Sequence, residues 1–203
     1  MEAAQPVLPP SAGAADYPVR YEVQLQEEYG RFLPLVKWLL AFPHYVALLV
    51  LIIGYFFAKI GAFFVVLFTG RYPRGIFNYE LGVLRWAARV SSYLQLLRDE
   101  YPPFSMDAVP EYGVDYSIDY PEEGVARWRP FFAWILAIPY LVVGGLLSYV
   151  AAACIVINFF SILFTKKVIP GVARLIVATS RWQYRGNAYA GYLSTRYPPW
   201  DMD

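Results

Sequence analysis

Two long apolar blocks dominate the pattern of hydrophobic and polar positions along the chain. Leu33 to Thr69 carries only Lys37, His44 and Lys59 as ionisable side chains besides its tyrosines. Pro130 to Thr165 carries no Asp, Glu, Lys, Arg or His at all. A run of about 18 or more such residues predicts a membrane-spanning helix, and each block is about twice that length. Each block is followed by a stretch of helical period, Gly75 to Arg98 and Gly171 to Leu193. In the first stretch Arg74, Asn78, Arg85, Arg89 and Ser92 share one stripe, opposite Tyr79, Val83, Trp86, Val90, Leu94 and Leu97. The second repeats the stripe with Arg174, Arg181 and Arg185, with Trp182 beside it. An apolar face with Trp and a basic stripe is what a helix lying in the membrane interface needs. Ahead of the first block, Tyr17, Val19, Tyr21, Val23 and Leu25 alternate with polar residues, the period of a half-buried strand. Tyr116, Ile118 and Tyr120 repeat this ahead of the second. An isolated strand is marginal, so the two are expected to pair with each other or with a neighbouring chain.

These matching patterns reflect a duplication. Shifting the sequence by 96 positions aligns residues 31–107 with 127–203 without a gap, and about a third of the pairs are identical. They include Arg31/Arg127, Trp38/Trp134, Pro43/Pro139, Phe63/Phe159, Thr69/Thr165, Arg85/Arg181, Trp86/Trp182, Arg89/Arg185 and the closing Tyr-Pro-Pro at 101 and 197. The organisation expected is a disordered tail over residues 1–16, one membrane repeat over 17–107 and a second over 108–203, with 108–123 an acidic connector. The tail is rich in Ala and Pro and lacks the basic and apolar regions of a secretory signal.

The length of each block admits two readings. A bilayer's hydrocarbon core takes about 20 helical residues, so a block can form a tight hairpin of two crossings. Basic residues at both ends of each block favour the hairpin under the positive-inside rule. So does Lys59, which near a hairpin tip at Gly54 can extend to the far interface instead of sitting mid-membrane. Neither tip has strong turn chemistry, and one long helix kinked at Pro43 and Pro139 is the alternative. The hairpin is the form expected. The fold class is then an all-α membrane protein of two tandem repeats, each a short strand, a long apolar helical hairpin (or one long kinked helix) and a basic amphipathic interfacial helix.

Charge sharpens the membrane reading. Only 16% of residues are charged, against roughly 25% in soluble domains. The net charge of +1 hides a segregation. Asp99 to Glu123 holds eight acidic residues and no Lys or Arg, whereas Arg31, Arg71, Arg74, Arg127, Arg129, Lys166 and Lys167 crowd the block edges. Basic groups at a headgroup layer and an acidic connector in water fit this distribution. Arg74, Arg85, Arg89, Arg174, Arg181 and Arg185 are therefore the candidate contacts for anionic lipid headgroups or a partner's acidic surface. The alternative role for them is anchoring the helix or pairing with the connector.

An enzyme reading fails on inventory. His44 is the only histidine and aligns with Tyr140, and Cys154 is the only cysteine, so no repeated His-based metal cluster, triad or Cys pair can be assembled. Cys154 reads as a buried small hydrophobe and His44 as an interfacial side chain capping or hydrogen-bonding near Pro43. Glu27-Glu28 and Glu122-Glu123 read as solvated acids. No metal and no cofactor is expected. Transport calls for polar groups at the midplane, and the second block offers only Ser148, Asn158, Ser161 and Cys154, without polar counterparts in the first.

Pro43-His44-Tyr45, the run Leu67 to Gly75 (Leu-Phe-Thr-Gly-Arg-Tyr-Pro-Arg-Gly), Leu84-Arg85-Trp86 and Tyr101-Pro102-Pro103-Phe104 together resemble a bacterial membrane family known only as a domain of unknown function. That family often occurs in tandem and is familiar from actinobacteria. The resemblance covers about residues 17–203 and is weaker in the second copy, where Lys166-Lys167-Val168-Ile169-Pro170 replaces Gly70 to Arg74. It implies a helical protein of the bacterial inner membrane and transfers no catalytic residue. The function expected is an integral membrane scaffold or accessory subunit binding lipid headgroups and a protein partner, or self-associating, with no nucleic-acid partner. A small-solute transporter or channel component is the alternative. The location expected is the cytoplasmic membrane, multi-pass, with both termini cytoplasmic.

Overall fold

The apolar blocks stay helical from end to end. The computed structural model describes residues 17–202, so the tail expected over 1–16 lies outside the described residues. The first block forms α1 (Leu33–Leu40) and α2 (Phe42–Thr69), and the second forms α4 (Arg129–Thr165). The helices between and after them are α3 (Arg74–Leu94) and α5 (Pro170–Ala190). The strands are β1 (Val19–Val23) and β2 (Val114–Ile118).

The hairpin expected in each block is thereby corrected to a helical run that does not fold back, interrupted only at Ala41 in the first block and continuous in the second. Around Gly54 and around Gly144-Gly145 the flanking Leu, Val, Phe and Ala residues keep the backbone helical. Positive-φ backbone appears only at the far ends, at Gly70 (φ +69°) and its counterpart Lys166 (φ +59°). These residues close α2 and α4 through amides bonded to Val66 and Ile162 carbonyls. Pro43 marks the α1–α2 break at Ala41, whereas Pro139 sits inside a continuous α4. Both 37-residue segments, Leu33–Thr69 and Arg129–Thr165, are long and apolar enough to cross a membrane.

The strands pair with each other, as their pattern predicts. The ribbon is antiparallel and centred on Tyr21 opposite Tyr116, with Val19 opposite Ile118 at one end and Val23 opposite Val114 at the other. This register places a pseudo-twofold axis through the middle of the ribbon, perpendicular to it. The same axis relates the rest of the chain. The Tyr29 amide donates to the Lys166 carbonyl, and 96 positions later the Val125 amide donates to the Gly70 carbonyl, both at 2.8 Å. Each copy's lead-in therefore closes the end of the other copy's long helix. β1 packs on α5 and β2 on α3, so each strand also rides on the helix of the opposite copy.

The layers follow from helical spacing. On α3, Tyr79, Trp86 and Val90 face α2: Tyr79 donates to the Leu51 carbonyl, and Val90 and Trp86 pack on Leu48. Arg85 and Ser92, on the opposite side of α3, meet the ribbon at Tyr116 and Tyr21. α5 repeats this, with Trp182 and Gln183 against α4 and Arg181 and Tyr184 against the ribbon. The stack is ribbon, then α3 with α5, then α2 with α4. The main core lies between ribbon and middle layer, where Val19, Tyr21, Val114 and Tyr116 are buried against Leu81, Ala88, Val177 and Ala188. The ribbon's other face carries Arg20, Glu22, Gln24, Asp115, Ser117 and Asp119. Helices α2 and α4 turn an apolar arc outwards, with Trp38 64%, Phe57 65%, Phe68 71% and Tyr149 78% exposed.

Candidate functional site

The arginine stripe faces inwards. Arg85 Nε donates to the Tyr116 carbonyl at 3.1 Å, and Arg181 Nε donates to the Tyr21 carbonyl at 3.2 Å. A two-stranded ribbon leaves main-chain acceptors without ladder partners, and these guanidiniums supply donors. Arg89 is buried and donates to the carbonyls of Asp107, at 3.0 Å, and Ser105. Arg185 is equally buried, 3.2 Å from the Asp201 carboxylate, with its guanidinium over the Tyr17 ring. The in-plane interfacial helix expected for this stripe is thus corrected for these four residues: α3 and α5 form the middle layer, and main-chain carbonyls, with Asp201 and Tyr17 at Arg185, cover their polar side. The other two candidates lie at the surface. Arg74 is exposed, pairs with Glu122 at 2.6 Å and lies over the Tyr120 ring, and Arg174 is exposed on the first turns of α5.

Around these two residues the basic groups gather at the ends of the long helices. Arg127 lies against Gly70, next to Arg71 and Arg74. At the pseudo-symmetric end, Arg31 reaches the Phe164 carbonyl beside Lys166 and Lys167. The connector's acids are not merely solvated: Asp119 pairs with Arg20 and Glu122 with Arg74, and the connector contains β2 itself.

The densest polar cluster lies on the inner side of α2. Lys59 Nζ donates to Glu80 Oε2 at 2.7 Å, to the Tyr72 hydroxyl at 2.9 Å and to the Gly191 carbonyl at 3.0 Å, using all three of its protons. The Tyr72 hydroxyl donates to the same Glu80 oxygen at 2.7 Å, and the Tyr192 hydroxyl donates to the Lys59 carbonyl at 3.1 Å. Glu80 is fully buried, and its Oε1 has no hydrogen-bond partner among the described residues. Burial first, and then the Glu80 carboxylate, push the Tyr72 phenol far above its ordinary range. The same two causes raise Tyr192. Both hydroxyls therefore stay protonated donors. In the second copy the positions equivalent to Lys59, Glu80 and Tyr72 hold Ile155, Ile176 and Val168, so this trio has no counterpart there.

Sequence reasoning read Lys59 as extending towards an interface and did not connect it to Glu80. A detectable signal was that Lys59, Tyr72 and Glu80 all become aliphatic together in the second copy.

His44 is buried, not interfacial. Trp86 Nε1 donates to its Nδ1 at 3.0 Å, and its ring stacks on Phe104 with centroids 4.0 Å apart. Tyr140, its counterpart, stacks on Trp182 at 4.2 Å, whose Nε1 donates to the Tyr140 carbonyl. The aromatic positions thus repeat while the hydrogen bonding differs, which marks a packing role for the pair. Nearby, Lys37 is buried and pairs with Asp99 at 2.7 Å, tying α1 to the segment after α3.

Comparison with known families matches the chain to a domain of unknown function (DUF4389), over residues 34–106 and again over 127–201. These segments begin at the long helices and end after the Tyr-Pro-Pro motifs, leaving both strands outside the matched residues. No curated protein and no solved structure matches the chain.

Proposed function

We propose that this chain, which belongs to the DUF4389 family and carries two copies of its domain, is a membrane-embedded scaffold or accessory subunit. The observation that carries this reading is the outer surface of α2 and α4. Phe42, Val46, Leu49, Val50, Ile53, Phe57, Ile60, Phe64 and Phe68 are exposed on α2, and α4 repeats the arrangement from Phe131 to Phe164. Contiguous apolar patches of this extent on a protein's surface mark contact with lipid or with another protein. The Lys59 ammonium and the four inward arginines are meanwhile engaged within the chain.

In this reading Arg74 and Arg174 touch anionic headgroups together with Arg31, Arg71, Arg127, Lys166 and Lys167. Each basic group near such a surface contributes about 1 kcal/mol. The inward arginines hold the fold. The acidic water-facing side, with Glu111, Asp115, Asp119 and Glu123 exposed, is available to a basic partner. The location proposed is the cytoplasmic membrane of a bacterium, with both termini on the cytoplasmic side.

Fractionation of cells expressing the chain tests the core of the proposal. The protein should remain in the membrane pellet after alkaline carbonate extraction, and recovery in the soluble fraction would refute membrane residence. Replacing Arg74, Arg174, Lys166 and Lys167 by Gln should weaken binding to phosphatidylglycerol-containing vesicles, whereas unchanged binding would remove the headgroup contact.

A further inference from the structure

The depth and direction of the long helices follow from the pseudo-twofold axis. α1 starts beside the end of α4: Tyr29 bonds to Lys166, Arg31 to Phe164, and Pro34 shares a groove with Ile155 and Phe159. α2 ends beside the start of α4: Val125 bonds to Gly70, and Phe63 packs edge-on against Phe131 at 5.2 Å. The two long helices are therefore antiparallel, and the axis relating them runs perpendicular to both. That axis also passes through the centre of the ribbon, whose outer face carries Arg20, Glu22, Asp115 and Asp119.

If α2 and α4 crossed the bilayer, the axis would lie in the membrane plane. The outer face of the ribbon would then meet lipid at mid-depth with four charged side chains. A charge at the bilayer centre costs about 2.5–3.5 kcal/mol even on the most permissive scale. The open edges of the ribbon would also lack water, a state that lipid-exposed sheets do not adopt. Length gives a second argument. The 37-residue α4 is about 55 Å long, and its exposed side is apolar from Phe131 to Phe164, whereas the hydrocarbon core is about 30 Å thick. Laid flat, with the axis along the membrane normal, the same molecule puts its whole apolar face into acyl chains and its charged ribbon into water. Both basic ends, Arg71/Arg74/Arg127 and Arg31/Lys166/Lys167, then lie at one headgroup level.

We propose that the chain is monotopic: α2 and α4 lie along one leaflet, and neither crosses to the other side. The occupant of the apolar face is the acyl layer of that single leaflet. This rests on the membrane residence proposed above, and it replaces the repeated crossings expected from block length.

The test places single cysteines at Phe42, Val50, Phe57 and Phe68 on the outer face of α2, in a Cys154→Ala background. Each is spin-labelled and its depth read in phosphatidylcholine–phosphatidylglycerol vesicles from relative oxygen and nickel-chelate accessibility. A flat helix gives four similar depths on one side of the midplane. A crossing helix puts Phe42 and Phe68 near opposite headgroup layers with Val50 and Phe57 between them, and that profile would overturn the proposal. Four labels with full chelate access and no lipid contact would instead refute membrane residence itself. A second measurement uses exposed positions away from the packed layers. Arg71→Cys, Lys166→Cys and Asp119→Cys should all react with an impermeant maleimide from the same side of sealed membranes. Reaction of Arg71→Cys and Lys166→Cys from opposite sides also overturns it.

Discussion

Replacing Glu80 by Ile, the residue at the equivalent position of the second copy, isolates the buried ion pair. Lys59 and Glu80 are 2.7 Å apart, with the carboxylate fully buried and the lysine side chain 21% exposed. At an effective dielectric of about 20 their attraction is about 6 kcal/mol, most of it offset by the desolvation of both groups. The net value is therefore small, but losing one partner strands the other. Glu80→Ile leaves the ammonium with only the Tyr72 hydroxyl and the Gly191 carbonyl, and should cost about 3–5 kcal/mol. Lys59→Ile leaves the carboxylate with the Tyr72 hydroxyl alone and should cost a similar amount.

The double variant places the second copy's isoleucines at both charged positions and leaves no charge in the cluster. Its main debt is the unpaired Tyr72 hydroxyl, about 1–3 kcal/mol. Independent effects would instead sum to about 6–10 kcal/mol. Reversible denaturant unfolding in detergent micelles, followed by circular dichroism, measures all four corners of the cycle. A double variant as unstable as the sum of the singles would refute the pairing, as would single variants within about 0.5 kcal/mol of the parent.

Three further outcomes follow. Arg85→Met should speed amide exchange mainly in residues 114–118 and Arg181→Met mainly in 19–23, because each arginine holds the strand of the other copy; hydrogen-exchange mass spectrometry resolves the two segments. Gly54→Ala should destabilise by about 1–3 kcal/mol through overpacking, since a Cβ there runs into the Tyr79 hydroxyl, while Gly145→Ala meets nothing and should be neutral or stabilising; thermal unfolding compares them. Burial pushes the Tyr184 phenol up to about 12, so its contribution is complete below pH 10, where the unfolded phenol is still protonated, and is lost between pH 10 and 12 as the unfolded state ionises first. Stability should fall by roughly 1.4 kcal/mol per pH unit for this group above pH 10, and Tyr184→Phe should make the measured fall shallower.

Much of the architecture was readable because it rests on local pattern. The duplication, the strand alternation and the extent of the apolar blocks each show in residue spacing, and the strand pairing followed from the instability of a lone strand. The hairpin expectation failed because length alone does not bend a helix. The backbone at Gly54 and Gly144 lacks any feature that ends one, and its neighbours are good helix formers. The arginine stripe shows a deeper limit. Periodicity states which residues share a face, but Arg85 and Arg89 look the same whether phosphates or carbonyls lie opposite them. Lys59 was misplaced for the same reason, since its partner is 21 positions away on another helix and its third acceptor comes from the other copy. Differences between the copies carried that information better than their identities did.

The exchange of strands between copies bears on how such a chain could have arisen. β1 packs on α5 and its lead-in caps α4, while β2 packs on α3 and its lead-in caps α2. A half-length ancestor would have left its own ribbon position empty and its helix ends uncapped until a twin supplied them. If two such polypeptides associated before fusion, the linker now running through the acidic segment would have converted a concentration-dependent association into an intramolecular one. Residues 1–107 and 108–203, produced as separate polypeptides, should on this account reassemble with each other.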